Sequence, residues 1–184
     1  MSLLLLLAAC TASDVAVGDD TGEGDTNGDT PTVGGPPIVI NEFMASNDTI
    51  LADNAGEFDD WIELYNAGDT IVQLDGLYLT DEKDVHTKFA LPGGEGIAPG
   101  AFKIIWADND GDTLGDQTQG TDHANFKLNA AGDAIYLFYV EGSDEVRVDA
   151  IQFGAQQPDI SGARVPDGSL NWEYGTPTPN ASNG

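Results

Sequence analysis

From Ile38 to the end of the chain, short runs of β-branched and aromatic residues are separated by clusters of Gly, Pro, Asn and Asp that recur about every 8 to 12 residues. That spacing leaves little room for a helix of ordinary length, and no apolar stripe of helical period is present. A chain punctuated in this way folds as an all-β sandwich or barrel. Strands are predicted over residues 38–43, 61–66, 70–74, 77–80, 88–91, 101–107, 125–128, 134–140, 145–153 and 162–165. In the second of these, Ile62 and Leu64 alternate with Trp61, Glu63 and Tyr65, which suits a strand with one face in the core and one turned outward. Trp61 is expected in the core. Asn66-Ala67-Gly68-Asp69, Asp75-Gly76, Pro99-Gly100 and Pro166-Asp167-Gly168-Ser169 carry turn chemistry. The closing Thr176-Pro177-Thr178-Pro179 blocks ladder pairing and is expected along the domain's surface.

The N-terminal part follows different rules. Residues 3–9 form an apolar run far shorter than the roughly 20 residues needed to span a bilayer, but of the length of an export signal's hydrophobic region. The run ends in Leu7-Ala8-Ala9-Cys10, which resembles a bacterial lipobox, where cleavage before the cysteine is coupled to its acylation. The start, Met1-Ser2, departs from the usual positively charged signal. Residues 11–37 have no aromatic side chain and no periodicity, so they cannot bury enough surface to offset the entropy of ordering them. A flexible coil of about 27 residues spans roughly 30 Å. The expected organisation is therefore a lipoprotein-type signal peptide at 1–9, a disordered acidic tether at 10–37 beginning with lipidated Cys10, and one folded domain at 38–184.

Charge narrows the partners. There are 32 acidic against 6 basic residues, a net charge of -26, and the first Lys or Arg is Lys83. Nucleic-acid binders present a basic surface to phosphates, so nucleic acid is excluded as an expected partner. Anionic headgroups are repelled too, which leaves membrane attachment to the lipid. With one cysteine, an intrachain disulfide is impossible.

Candidate chemistry is sparse. No metalloprotease, zinc-ribbon or nucleophile-elbow motif occurs, and His86 and His123 are the only histidines. His123 reads as structural, near the strand of Phe126, and His86 as an exposed residue of an acidic turn. Among the acids, Glu63 stands out at mid-strand and is the best candidate for a carboxylate hydrolase, which needs a second acid within about 5 to 10 Å. A bond to backbone or loop is the competing reading. Asp108, Asp110 and Asp112 alternate along one loop, a spacing that can wrap oxygen ligands around calcium. The loop lacks the later EF-hand positions, and a plain solvated acidic loop fits equally well. Asp53, Glu57, Asp59 and Asp60 make a second acidic loop, at the same or the opposite end of the sandwich.

Six ordered motifs resemble the lamin tail domain family as it occurs in bacterial exported proteins. They are Ile40-Asn41-Glu42-Phe43-Met44-Ala45-Ser46-Asn47, Asp60-Trp61-Ile62-Glu63-Leu64-Tyr65-Asn66, residues 74–81, Ile97-Ala98-Pro99-Gly100, residues 123–128, and the closing 164–169 with Trp172 and 177–179. The resemblance implies an immunoglobulin-like β-sandwich without catalytic activity, in which Asn41, Glu42, Asp60, Trp61, Glu63 and Asn66 are motif residues. It implies adhesion, targeting or envelope interactions. The leading expectation is a lipid-anchored module facing outward in the cell envelope, with an envelope or extracellular protein or polysaccharide as partner. The alternatives are an extracellular hydrolase and a calcium-dependent structural protein of the envelope. Calcium is the only cofactor in question.

Overall fold

The computed structural model describes residues 35–109 and 120–184. The expected lipobox with Cys10, most of the expected tether, and Asp110 and Asp112 lie outside the described residues. The described chain is all-β. Its strands are β1 (Ile38–Met44), β2 (Trp61–Asn66), β3 (Val72–Gln73), β4 (Leu77–Thr80), β5 (Phe89–Ala90), β6 (Gly96–Ile97), β7 (Phe102–Trp106), β8 (Asp133–Glu141), β9 (Asp144–Phe153), β10 (Ser161–Arg164) and β11 (Trp172–Gly175).

Two antiparallel sheets, ordered β11-β10-β1-β2-β7 and β5-β4-β8-β9, form the immunoglobulin-like sandwich, with a short β3-β6 ribbon beside them. The apolar alternation dictates the packing. Ile38, Ile40, Phe43, Ile62, Leu64 and Ile105 from the first sheet join Leu77, Leu79, Ile135, Leu137, Ile151 and Phe153 from the second in one core. Each such side chain contributes about 1.5 to 3 kcal/mol when fully buried. Phe43 of β1 and Phe153 of β9 stack with ring centroids 4.4 Å apart. Gly162 lies beside this pair, and a β-carbon there would sit 2.7 Å from two ring atoms of Phe43, so no larger residue fits without displacing the ring.

β1 contains a bulge at Asn41, where its register against β2 shifts between Ile40 and Glu42. In a regular strand Ile38, Ile40 and Glu42 would share one face. The extra residue reverses the parity, so Phe43 and Ala45 point into the core while Glu42 and Met44 join the opposite face.

That opposite face is where the one-sided reading of β2 needs correction. Trp61, Ile62, Glu63 and Leu64 are all buried, so β2 is covered on both faces. Trp61 packs in a separate small cluster with Met44 and Trp106, bordered by Leu51 and Ile104, under the connection between β1 and β2. Glu63 is covered by the C-terminal residues. A strand with two covered faces is legible only when its coverings are known.

Other expectations shift at the edges. The predicted strand 125–128 is a plug instead of a ladder member. Ala124, Phe126 and Leu128 alternate into the core, but the segment makes only isolated bridges, Trp106 with His123 and Asp108 with Lys127. The run 70–74 shortens to β3, while β6 and β11 form where Gly and turn residues hide a strand pattern. The turn expectations hold: Gly76 has φ 80°, a conformation that favours glycine, and Asn66 closes its turn by accepting the Gly68 N–H at 2.8 Å. Backbone pairing reaches back before Ile38, since the Pro37 carbonyl accepts the Ala67 N–H at 2.9 Å.

Candidate functional site

Among the described residues, two gatherings of buried polar side chains are candidate sites. The first is the outer face of the five-stranded sheet. Glu42 and Glu63 are register partners on β1 and β2, and both are fully buried. Their oxygens meet the C-terminal segment. Thr178 donates its N–H to Glu42 Oε1 at 3.0 Å and its hydroxyl to Oε2 at 3.2 Å, and the Asn180 N–H reaches Glu63 Oε2 at 2.5 Å. Asn41, freed from the ladder by the bulge, donates to Asp167 at 3.0 Å and accepts the Gly168 N–H at 3.0 Å. Asn183 then ties Asp167 and the Arg164 carbonyl together, each at 3.0 Å.

The residues after Pro177 therefore do more than lie on the surface, because they satisfy two carboxylates that the sheet would otherwise bury alone. Burial pushes the Glu63 carboxyl up to about 7, and the nearby Glu42 adds to the effect. Glu42 is raised as well, first by burial. Two close carboxylates, both raised and one of them to about 7, have the composition of a hydrolase pair. Here both are capped by backbone and hydroxyl donors of their own chain.

The second gathering is at the end of the sandwich where the β1–β2 connection meets residues 106–108. Asp53, Glu57 and Asp59 each place a carboxylate oxygen within 4.8 Å of the others. Asn47 organises the loop. Its side-chain amide donates to the Leu51 and Asp59 carbonyls at 2.6 and 2.8 Å, and its Oδ1 accepts the Ile50 N–H at 3.1 Å. Asp60 joins this loop to β7 through its carbonyl, which accepts the Ala107 N–H at 2.8 Å, and burial raises its carboxyl to about 6. The Asp59 carboxyl is raised by burial and then by Asp108. Asp108 and the loop of Asp53, Glu57 and Asp59 thus share one end of the sandwich.

Of the aspartates at 108, 110 and 112, only Asp108 is among the described residues. It is buried and bonded through Oδ2 to Nδ1 of His123. His123 is buried too and stacks against Trp106 at 6.2 Å, as its structural reading requires, although its Nε2 has no hydrogen-bond partner. His86 is only half-exposed. It stacks on Phe138 at 4.1 Å and pairs with Glu145 at 2.5 Å, beside a shallow cleft also lined by Lys83 and Arg147. Asn66 serves the fold, donating to the Thr70 and Ile97 carbonyls, each at 2.8 Å.

Sequence reasoning assigned no role to Asp149, Arg164 or Asn47. The first two had a signal: a charge inside an apolar strand, Val148-Asp149-Ala150-Ile151 and Gly162-Ala163-Arg164-Val165. Such a charge must find a partner when buried.

These features belong to a recognisable class, an immunoglobulin-like sandwich with buried polar residues bonded to its own chain. The Lamin Tail Domain family model matches residues 31–155, more than half of the chain. The chain belongs to the lamin tail domain family. The match spans β1 to β9, and the C-terminal strands and cap lie beyond it. No curated protein and no solved structure matches the chain.

Proposed function

We propose that this chain is a non-catalytic, lipid-anchored module that displays its lamin tail domain outward from the cell envelope to hold an envelope or extracellular protein or polysaccharide. The observation that carries the non-catalytic part is the capping of Glu42 and Glu63 by Thr178 and Asn180, which leaves the best-placed acid pair without an open face for substrate. A general acid must reach the atom it protonates within hydrogen-bonding distance, and these oxygens reach their own chain instead. Membership of a family of immunoglobulin-like domains supports the same reading. The anchoring part rests on Leu7-Ala8-Ala9-Cys10 followed by a segment rich in Asp, Gly and Thr.

The test incubates the full chain with envelope extract and, separately, with a panel of polysaccharides. Retention of a specific component without release of reducing ends is the expected result. Turnover of a polysaccharide that Glu63→Gln abolishes would replace the module with an enzyme.

A further inference from the structure

We propose that Asp53, Glu57 and Asp59 form a calcium site on the connection between β1 and β2. Their three carboxylate oxygens lie within 4.8 Å of one another. Calcium holds oxygen ligands at about 2.3 to 2.6 Å, so its coordination sphere is about 5 Å across and spans this group as it stands. Magnesium, with oxygens at about 2.1 Å, demands near-ideal octahedral geometry and would keep more of its water.

Spacing alone does not distinguish a site from solvated acids, but Asp53 does. It is only 9% exposed. Its Oδ1 accepts the Ala55 N–H at 2.9 Å and the Glu57 N–H at 2.8 Å, which fixes the carboxylate in place. Its Oδ2 is shielded from solvent and has no hydrogen-bond partner. Water does not reach that oxygen to compensate its charge, and an uncompensated buried carboxylate oxygen is costly. A bound cation supplies the missing partner.

The remainder of the site is prearranged. The Asp53 N–H donates to the Glu57 carbonyl at 2.9 Å, bringing those two residues together, and Asn47 holds Asp59 by its backbone. Glu57 is the exposed member of the group. Lys127 approaches Asp59 at 3.9 Å, but its side chain is 61% exposed and can swing away. Asp108 lies near enough to raise the Asp59 carboxyl further, after burial.

The experiment titrates the full chain with calcium, and separately with magnesium, at constant ionic strength, by calorimetry and by melting before and after chelation. Wild type is expected to bind one calcium at about 0.1 to 1 mM, the range of extracellular modules, and to melt several degrees higher with the ion. Magnesium is expected to bind at least tenfold more weakly. Asp53→Asn keeps an Oδ1 for the Ala55 and Glu57 N–H groups, so it should fold, and it should lose at least tenfold in calcium affinity. Asp59→Asn should do the same, and decides the matter alone if Asp53→Asn does not melt cooperatively. The site is overturned if wild type gives neither heat nor a melting shift, or if the deciding variants bind within twofold of wild type. Loss of binding only in an Asp110→Asn, Asp112→Asn double variant would equally overturn it and move the ion to that loop.

Discussion

Arg164 of β10 and Asp149 of β9 form a wholly buried ion pair that joins the two sheets, with Nη2 of the arginine 2.8 and 2.9 Å from the two carboxylate oxygens. The pair closes around one residue at the β1 bulge. Asp149 Oδ2 accepts the Ile40 N–H at 2.8 Å, and Arg164 Nε donates to the Ile40 carbonyl at 2.8 Å. Side chains thus replace the ladder bonds that the bulge disrupts. Burial raises the Asp149 carboxyl to about 6, while Arg164 and the Ile40 and Ala150 N–H groups pull it down.

Arg164→Met should be strongly destabilising. It strands a buried carboxylate and the Ile40 carbonyl, and breaking one side of a buried pair costs about 3 to 5 kcal/mol. The double variant Arg164→Met, Asp149→Leu should recover part of that loss, because the charge goes with its partner. Urea unfolding measures both. A single variant within about 1 kcal/mol of wild type would show that the pair is dispensable.

Trp61 gives two variants with unequal expected losses. Trp61→Ala empties the cluster of Met44 and Trp106 and should cost about 3 to 5 kcal/mol. Trp61→Phe should cost much less, since the indole N–H is buried without a hydrogen-bond partner and its loss removes an unsatisfied group. Equal losses in the two variants, measured by denaturant midpoint, would contradict this account.

Glu63 makes stability depend on pH in a direction opposite to ordinary surface carboxylates. The folded state keeps this proton up to about 7, whereas the ordinary value is 4.5. Its contribution is therefore full below about 4.5 and is lost as pH rises through about 7, a change on the order of 3 kcal/mol. Asp60 and Asp149, raised to about 6, act in the same direction at lower pH. Glu63→Gln keeps an oxygen for the Asn180 N–H and should flatten the fall in denaturant midpoint between pH 5 and 8. An unchanged slope in that variant would remove Glu63 as its source.

Cys10→Ala should move the protein from membranes to the soluble fraction. Each buried methylene of an acyl chain contributes about 0.8 kcal/mol, so several chains outweigh the repulsion between an acidic segment and anionic headgroups. Labelling with a palmitate analogue, followed by fractionation, checks it. Wild type that stays soluble and unlabelled would end the lipoprotein reading.

What the sequence alone determined about this chain was local or repetitive. Alternation and turn residues placed β1, β2, β4, β7, β8, β9 and β10 to within a few residues, because strand period and glycine φ preferences act over a handful of neighbours. The ordered motifs indicated the family that the match over residues 31–155 establishes. What only tertiary structure decided was everything that depends on a second segment arriving from far along the chain. A one-residue bulge at Asn41 sends Glu42 away from the core, a C-terminal segment more than 100 residues downstream caps it and Glu63, and Asp149 meets Arg164 across two sheets. The Asp53 loop and Asp108 are brought to one end by pairing between β2 and β7. Burial of an acid is set by what covers it, and a covering segment leaves no mark on the periodicity of the strand it covers.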